Sequence, residues 1–288
     1  MIKRWRLIDS GFSDAYTNMA IDEALFIEYY SGNNLPTLRI YGWRPASFSF
    51  GYFQDPEQEL DLAKCHRENI PLVRRMTGGG IIFHNTELTY SLVCSKEDLK
   101  IGNVKESYRV LCSFIISAYK RLGLNPSFAL SSDLSRKKPG EFSSFCFASN
   151  EEYDILIRGR KIGGNAQRRR KGVVFQHGSI PLKLDIDGAL SFLKEPDFRI
   201  KDKVISLNDA LEKELTFDEF RDLLIESFRQ TLSVNLEIGN LNRDEKGLVN
   251  ELKDRKYSTN EWNYYRIDNS VKRNIKTKPL IGLQSNQT

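Results

Sequence analysis

Apolar and polar positions along the chain repeat with two periods, and each change of period marks a new element. Residues 5–8 (WRLI) alternate and predict a first strand. Residues 18–26 (NMAIDEALF) carry apolar side chains at helical spacing, with Ser13 or Asp14 placed to cap that helix. Alternation returns at 36–41 and 47–52, with a turn at Trp43-Arg44-Pro45-Ala46 between them. A polar helix is predicted from Gln54, led in by Asp55-Pro56 and burying Leu60, Leu62, Ala63 and Cys65. Strands are expected at 72–75, 81–84 and 87–93, and a helix at 105–122 that Gly123 stops. The Ser-, Lys-, Pro- and Gly-rich stretch 131–144 reads as a loop.

Further strands are predicted at 153–157 and 173–179. Between them come a charged Gly-Arg turn, a loop with paired glycines from Lys161, and a basic turn at Arg168-Arg169-Arg170-Lys171 that is either solvated or meets an acidic partner protein. Helices are expected at 186–193, 207–215, 217–232 and 248–256. The pattern contains no internal repeat. It suggests one catalytic domain over 1–265, with C-terminal helices from about 216. Residues 266–288 read as a basic tail without fixed structure.

Composition adds limits rather than direction. The 288 residues suffice for a sizeable core, and a hydrophobic fraction of 40% with 28% charged residues is ordinary for a globular chain. The formal charge of +5 fits a solvated surface or a basic face toward an acidic partner. No zinc-finger or RNP motif points to nucleic acid. No apolar run is long enough to span a bilayer, and the N-terminus lacks a signal-peptide apolar core. Cysteines at 65, 94, 112 and 146 show no disulfide or metal spacing, so a reducing cytoplasm and no metal are expected.

Two stretches carry candidate chemistry. Met76-Thr77-Gly78-Gly79-Gly80 is not a Walker loop, because no Gly-Lys-Ser/Thr follows, nor a dinucleotide fingerprint, because no helix follows directly. Its bare amides suit a phosphate or a flat acyl chain, and a bulge or tight hairpin is the plain structural alternative. Arg74 and Arg75 beside it point to opposite faces if extended, so one can line a pocket while the other pairs elsewhere. In the second stretch Cys146 precedes Lys161 and Gly163-Gly164-Asn165-Ala166-Gln167. A cysteine near an ammonium is held partly as thiolate, the nucleophilic form, and such a stretch can make and discharge a thioester. Cys146 can equally be a small buried hydrophobe between two phenylalanines, and Lys161 a solvated turn residue. His84 and His177 are expected to be hydrogen-bonded near the pocket.

RRMTGGGIIFHNTELTYS, the Cys146 stretch and GRKIGGNAQRRRKGVVFQHGSI occur in order, with NMAIDEAL upstream. Together they resemble the biotin/lipoate protein ligase superfamily over most of residues 1–265, and within it the LipM-type octanoyltransferases. The resemblance implies an α/β (α+β) fold, a mixed central β-sheet flanked by helices. It also implies transfer of octanoyl from acyl carrier protein to a lysine of a lipoyl carrier domain, such as the glycine cleavage H protein. Cys146 matches the family pattern CF-x-x-x-x-x-Y/F-D/E and is carried over as nucleophile, with Lys161 as its catalytic partner. Arg74, Gly78, Gly79, Gly80 and His84 are carried over to one side of an acyl pocket, and Gly164, Ala166 and Gln167 to the other. Asn85 stands where Asp is usual, and Gly163 and Asn165 where Ser or Ala is commoner, which bears on pocket width. No cofactor is implied. Two rival activities share these motifs: a lipoate–protein ligase that consumes Mg-ATP, and an amidotransferase between carrier domains. A non-catalytic carrier-binding module is the rival from another class.

Overall fold

The computed structural model describes residues 3–32, 35–99, 102–129 and 153–270. Cys146 and the loop predicted at 131–144 lie outside the described residues, as do 271–288. The strands among the described residues are β1 (Lys3–Ser13), β2 (Thr37–Trp43), β3 (Ser47–Phe50), β4 (Leu72–Arg74), β5 (Ile82–His84) and β6 (Glu87–Ser95), then β7 (Pro126–Phe128), β8 (Ile155–Ile157), β9 (Arg160–Lys161), β10 (Gly164–Arg170), β11 (Val173–Pro181) and β12 (Val234–Ile238). Six form a mixed central sheet in the order β10-β11-β6-β2-β1-β12, parallel at β12-β1-β2 and antiparallel from β2 to β10. Two three-stranded sheets, β4-β3-β5 and β7-β8-β9, flank it. Among the described residues no helix is long and apolar enough to cross a membrane.

Side-chain alternation gives the central sheet two unlike faces. One presents Leu38 and Ile40 of β2, Leu88, Tyr90 and Leu92 of β6, and Val174 and Ile180 of β11. These pack on Leu111, Phe114 and Ile115 of the helix Val104–Arg121 and on Phe220, Leu224 and Phe228 of the helix Phe217–Thr231. The other face carries an apolar end, with Val93, Val173 and Phe175 against the helix Ala15–Tyr30. Its remaining positions are polar: Arg39, Tyr41, Thr89, Ser91, His177 and Ser179, all buried. A buried polar face is uncommon, and here it marks the site.

Asp14 caps the first long helix through its side chain, as expected. The polar helix predicted from Gln54 is two short helices, Pro56–Glu59 and Leu62–Arg67, and Ala63 is exposed rather than buried. The largest difference concerns 164–170. Read as a glycine loop and a basic turn, it is the edge strand β10, paired with β11 along its whole length. The turn is the two-residue Lys171-Gly172, whose φ values of 45 and 86 degrees give the left-handed pair that a tight hairpin requires. Strand β12 was not anticipated; its parallel pairing with β1 is a long-range contact that local pattern does not signal. Residues 266–270 are held by Ile267 N–H to Glu261 and by Asp268 to Lys256 (2.6 Å), although the basic tail was expected to begin there.

Candidate active site

A cavity of about 220 Å³ lies over the polar face, between the glycine loop, β10 and Lys161. Its floor is a hydrogen-bonded cluster centred on Asp22, a fully buried acid of the first helix. Asp22 accepts from Arg39 Nη1 (2.7 Å), Tyr41 Oη (2.8 Å) and Ser91 Oγ (2.7 Å), and His177 Nδ1 lies 3.5 Å away. His177 Nε2 in turn meets Thr77 Oγ1 at 2.7 Å, which ties the floor to the glycine loop. Burial alone would raise the Asp22 carboxyl, but Arg39, with help from His177 and Ser91, holds it below the usual carboxylate range. Burial pushes the His177 imidazolium down despite Asp22.

Lys161 enters from a separate hairpin. Arg158 and Gly159 take positive φ and turn β8 tightly into β9, so that Lys161 pairs with Leu156. Its backbone also bonds Lys203 and Ile205 on the far side. The side chain is 2% exposed and lines the cavity, with Nζ 2.6 Å from Asp154 Oδ2. A buried ammonium needs such a carboxylate, and the pair fixes where the charge points. Tyr108 lines the same wall and stacks on Tyr153 at 5.4 Å between ring centroids.

The opposite wall is the glycine loop, and here the two arginines part. Arg74 was expected in the pocket. Instead its guanidinium turns away and donates to the backbone carbonyls of Tyr52, Gln54, Trp262 and Asn263, among others, joining the C-terminal helix Asn260–Tyr265 to the small sheet. Arg75 lines the cavity in its place. The alternation expectation was sound, and the assignment within it was to the wrong neighbour. Arg75 Nη2 donates to the Gly78 (3.2 Å) and Gly80 (2.8 Å) carbonyls, and Nη1 to Ser49 Oγ (2.7 Å). Because a trans peptide points its N–H opposite to its C=O, this turns the Gly79 amide away from Arg75. Gly51 lets the loop sit close; a Cβ there would overlap the Gly79 carbonyl.

From Ser49 the contacts continue to His84 Nε2 (2.6 Å), and from His84 Nδ1 to Glu87 Oε1 (2.7 Å). Trp43 stacks on His84, with centroids 3.7 Å apart and planes within 9 degrees. Burial raises the Glu87 carboxyl, but facing His84 and the Thr89 hydroxyl outweigh it and leave it lowered.

Of the residues carried over from sequence, Gly78, Gly79, His84, Lys161, Gly164, Ala166 and Gln167 line one cavity; Arg74 and Gly80 do not. Gly80 only offers its carbonyl to Arg75. Asp22, Glu87 and Asp154 were missed, and Arg75 was named beside the loop without being assigned to the pocket. Asp154 closes the CF-x-x-x-x-x-Y-D pattern, and Asp22 lies on the same helical stripe as Met19 and Phe26, so both had a readable signal. Cys65, Cys94 and Cys112 are buried. Desolvation first of all raises their thiols, Cys65 to about 11 and Cys112 to about 12, with Cys94 raised as well.

A family model, the lipoyl protein ligase A/B catalytic domain, matches residues 14–229. Octanoyltransferase LipM of Bacillus subtilis (strain 168) is 38% identical over 273 residues, covering 91% of this chain and 98% of that protein. Octanoyltransferase LipM of Staphylococcus aureus (strain NCTC 8325 / PS 47) is 34% identical, covering 91% and 99%. The crystal structure of lipoate-protein ligase A bound with ATP superposes with a TM-score of 0.76 at 30% identity, over 93% of this chain and 100% of that one. A bipartite lipoate protein ligase from Thermoplasma acidophilum, solved in work on that ligase and its E2 lipoyl domain, gives 0.73 at 28% identity, over 93% and 98%.

Proposed function

Because the chain belongs to the lipoyl protein ligase A/B catalytic domain family, we propose that it transfers an octanoyl group from acyl carrier protein, through a thioester on Cys146, to a lysine of a lipoyl carrier domain. Relatives that are octanoyltransferases over nearly their whole length support an acyltransferase acting in protein lipoylation. The observation that carries the reading is the cavity itself, where a buried ammonium faces a glycine loop pinned by a buried guanidinium.

The reaction has two steps. The Cys146 thiolate attacks the donor thioester; the carbon–sulfur bond to the donor breaks and the donor leaves as its own thiolate, which takes a proton from solvent. The neutral acceptor ε-amine then attacks the enzyme thioester; the carbon–nitrogen bond forms, the Cys146 thiolate departs, and the amine gives up one proton to solvent. One thioester replaces another in the first step, so no nucleotide is consumed. Lys161 would stabilise the thiolate and polarise the acyl carbonyl, and Asp154 would hold its charge in place. The Gly78 and Gly79 amides would receive negative charge on the carbonyl oxygen. Removing one such donor typically costs about 3 kcal/mol.

The choice of sulfur is supported by elimination. Three of the four cysteines are buried, with thiols raised by desolvation, and lie outside the cavity lining. Cys146 precedes Tyr153 by seven residues, a tether of at most about 25 Å. Arg75, Ser49, His84 and Glu87 would act by positioning the glycine loop. The site uses cytoplasmic thioester chemistry and needs no cofactor in this reading.

One observation favours a second reading. The likeness at 30% identity to a ligase bound with ATP suits an acyl-adenylate made from free lipoate by the same Lys161 and glycine loop, with no covalent cysteine. Kinetics with octanoyl-carrier protein and a lipoyl domain, with and without Mg-ATP, separate the two. Transfer without nucleotide that is abolished in Cys146→Ala supports the transferase. Turnover that requires lipoate and ATP and survives Cys146→Ser supports the ligase.

A further inference from the structure

Strand β10 is an edge of the central sheet and carries two kinds of sequence. Its first half, Gly164 to Gln167, lines the cavity. Its second half and the following turn hold four consecutive cations, Arg168, Arg169, Arg170 and Lys171. Resting on the acyl-transfer reading, we propose that this cationic edge is where an acidic acyl carrier protein docks to present its thioester.

Position comes first. Arg168 Nη1 donates to the Met76 carbonyl (2.7 Å), at the start of the glycine loop. Arg169 donates to the Asn103 carbonyl and to Ser107 Oγ, at the start of the helix that carries Tyr108. The two arginines therefore brace opposite walls of the cavity with their charges at its rim. Arg170 and Lys171 are exposed at the hairpin tip, over the ring of Tyr30 at 5.1 and 5.7 Å.

Charge balance comes second. Some exposed cations elsewhere are paired with carboxylates, as in Arg158–Glu212 and Arg229–Glu226, and others such as Arg67 and Arg243 stand singly, whereas here four follow one another in sequence. Among the described residues none of these four cations, three on β10 and one in its turn, has an acidic partner within ion-pair distance. Four adjacent cations repel one another, and they concentrate a positive field beside the cavity mouth. A carrier protein with an acidic surface and a phosphodiester in its acyl-bearing arm offers anions both at the tip and at the rim. An acceptor domain presents a lysine, whose positive charge this rim opposes; the donor is therefore the better fit.

The test uses the full chain with Arg170→Glu and Lys171→Glu together, two residues outside the cavity lining. Octanoyl transfer is measured from octanoyl-carrier protein and from neutral S-octanoyl-N-acetylcysteamine, and binding of the unacylated carrier is measured separately. The expected result is a KM for the carrier raised about tenfold or more, weaker carrier binding and unchanged kinetics with the small donor. The fall of kcat/KM with ionic strength should also flatten. Unchanged carrier KM and binding, an equal loss with both donors, or a rise in the acceptor's KM instead would overturn the docking surface. If the wild type transfers from no donor, the acyl-transfer reading fails, and the carrier-binding comparison still decides the surface.

Discussion

The two faces of the central sheet are built from the same strands by the same alternation, but they do different work. On one, Leu88, Leu92 and the ring of Tyr90 pack on two helices through apolar contact, and only the Tyr90 hydroxyl is hydrogen-bonded, to Asn165 and Gln176. On the other, Glu87, Thr89 and Ser91 of the same strand are just as buried, and each is hydrogen-bonded to a partner from another element or to its neighbour. The first face gains stability from area removed from water. The second desolvates charge and recovers it through paired geometry, which fixes directions. The cavity proposed as the acyl-transfer site needs directions, and it sits on the second face.

The sharpest way to break this contrast is to compare Lys161→Ala with Phe114→Ala. Lys161→Ala should lower kcat for transfer about 10³-fold, the scale of a lost positioned donor. Phe114→Ala should cost about 3–5 kcal/mol in chemical denaturation while leaving kcat per folded molecule nearly unchanged. Equal effects on kcat from both would dissolve the distinction. Next is Asp22→Asn, which leaves Arg39 buried without its carboxylate. It should cost about 3–5 kcal/mol and also reduce kcat, because His177 and Thr77 lose their anchor.

The pH dependence of unfolding sharpens the contrast further. The folded protein holds His177 below the ordinary imidazole range. The unfolded chain therefore binds the extra proton first, and stability should fall as pH drops below about 6.5. Asp22 and Glu87 are also held low when folded. Their contribution is present above about pH 4 and is lost as pH falls further, through their folded values. Denaturation midpoints in His177→Gln should lose the upper limb, whereas an apolar-face variant such as Leu92→Ala should keep its shape.

A smaller effect is expected at Gly51→Ala, where the new methyl would push the Gly79 carbonyl and shift the loop. Transfer should fall about tenfold, for a stability cost of about 1–2 kcal/mol. A thermal shift larger than that of Phe114→Ala would mean that the loop is part of the core rather than of the site.

The alternation that builds these faces was open to reading, and so was the glycine loop; the family resemblance supplied seven of the residues that line the cavity, Lys161 among them. What stayed hidden has physical reasons. The stretch 164–170 contains glycine and three arginines, which suit a solvated turn; only pairing with Val173–Pro181 makes it a strand. Arg74 and Arg75 are equivalent by composition. Their separation depends on where the C-terminal helix docks, about 190 positions later, at Asn263. The acids Asp22 and Glu87 received no site role from the sequence; charge is normally outside, and only the folded chain shows them buried. Their partners come from other elements or face inward across the sheet, and periodicity does not record partners.

The central claim is that one sulfur carries the acyl group, and intact mass spectrometry tests it most directly. The protein is mixed with octanoyl-carrier protein and no nucleotide, then trapped in acid. The account predicts one octanoyl adduct in the wild type and in Cys112→Ala, and none in Cys146→Ala. An adduct that survives in Cys146→Ala, or turnover with no adduct in any form of the protein, would contradict it.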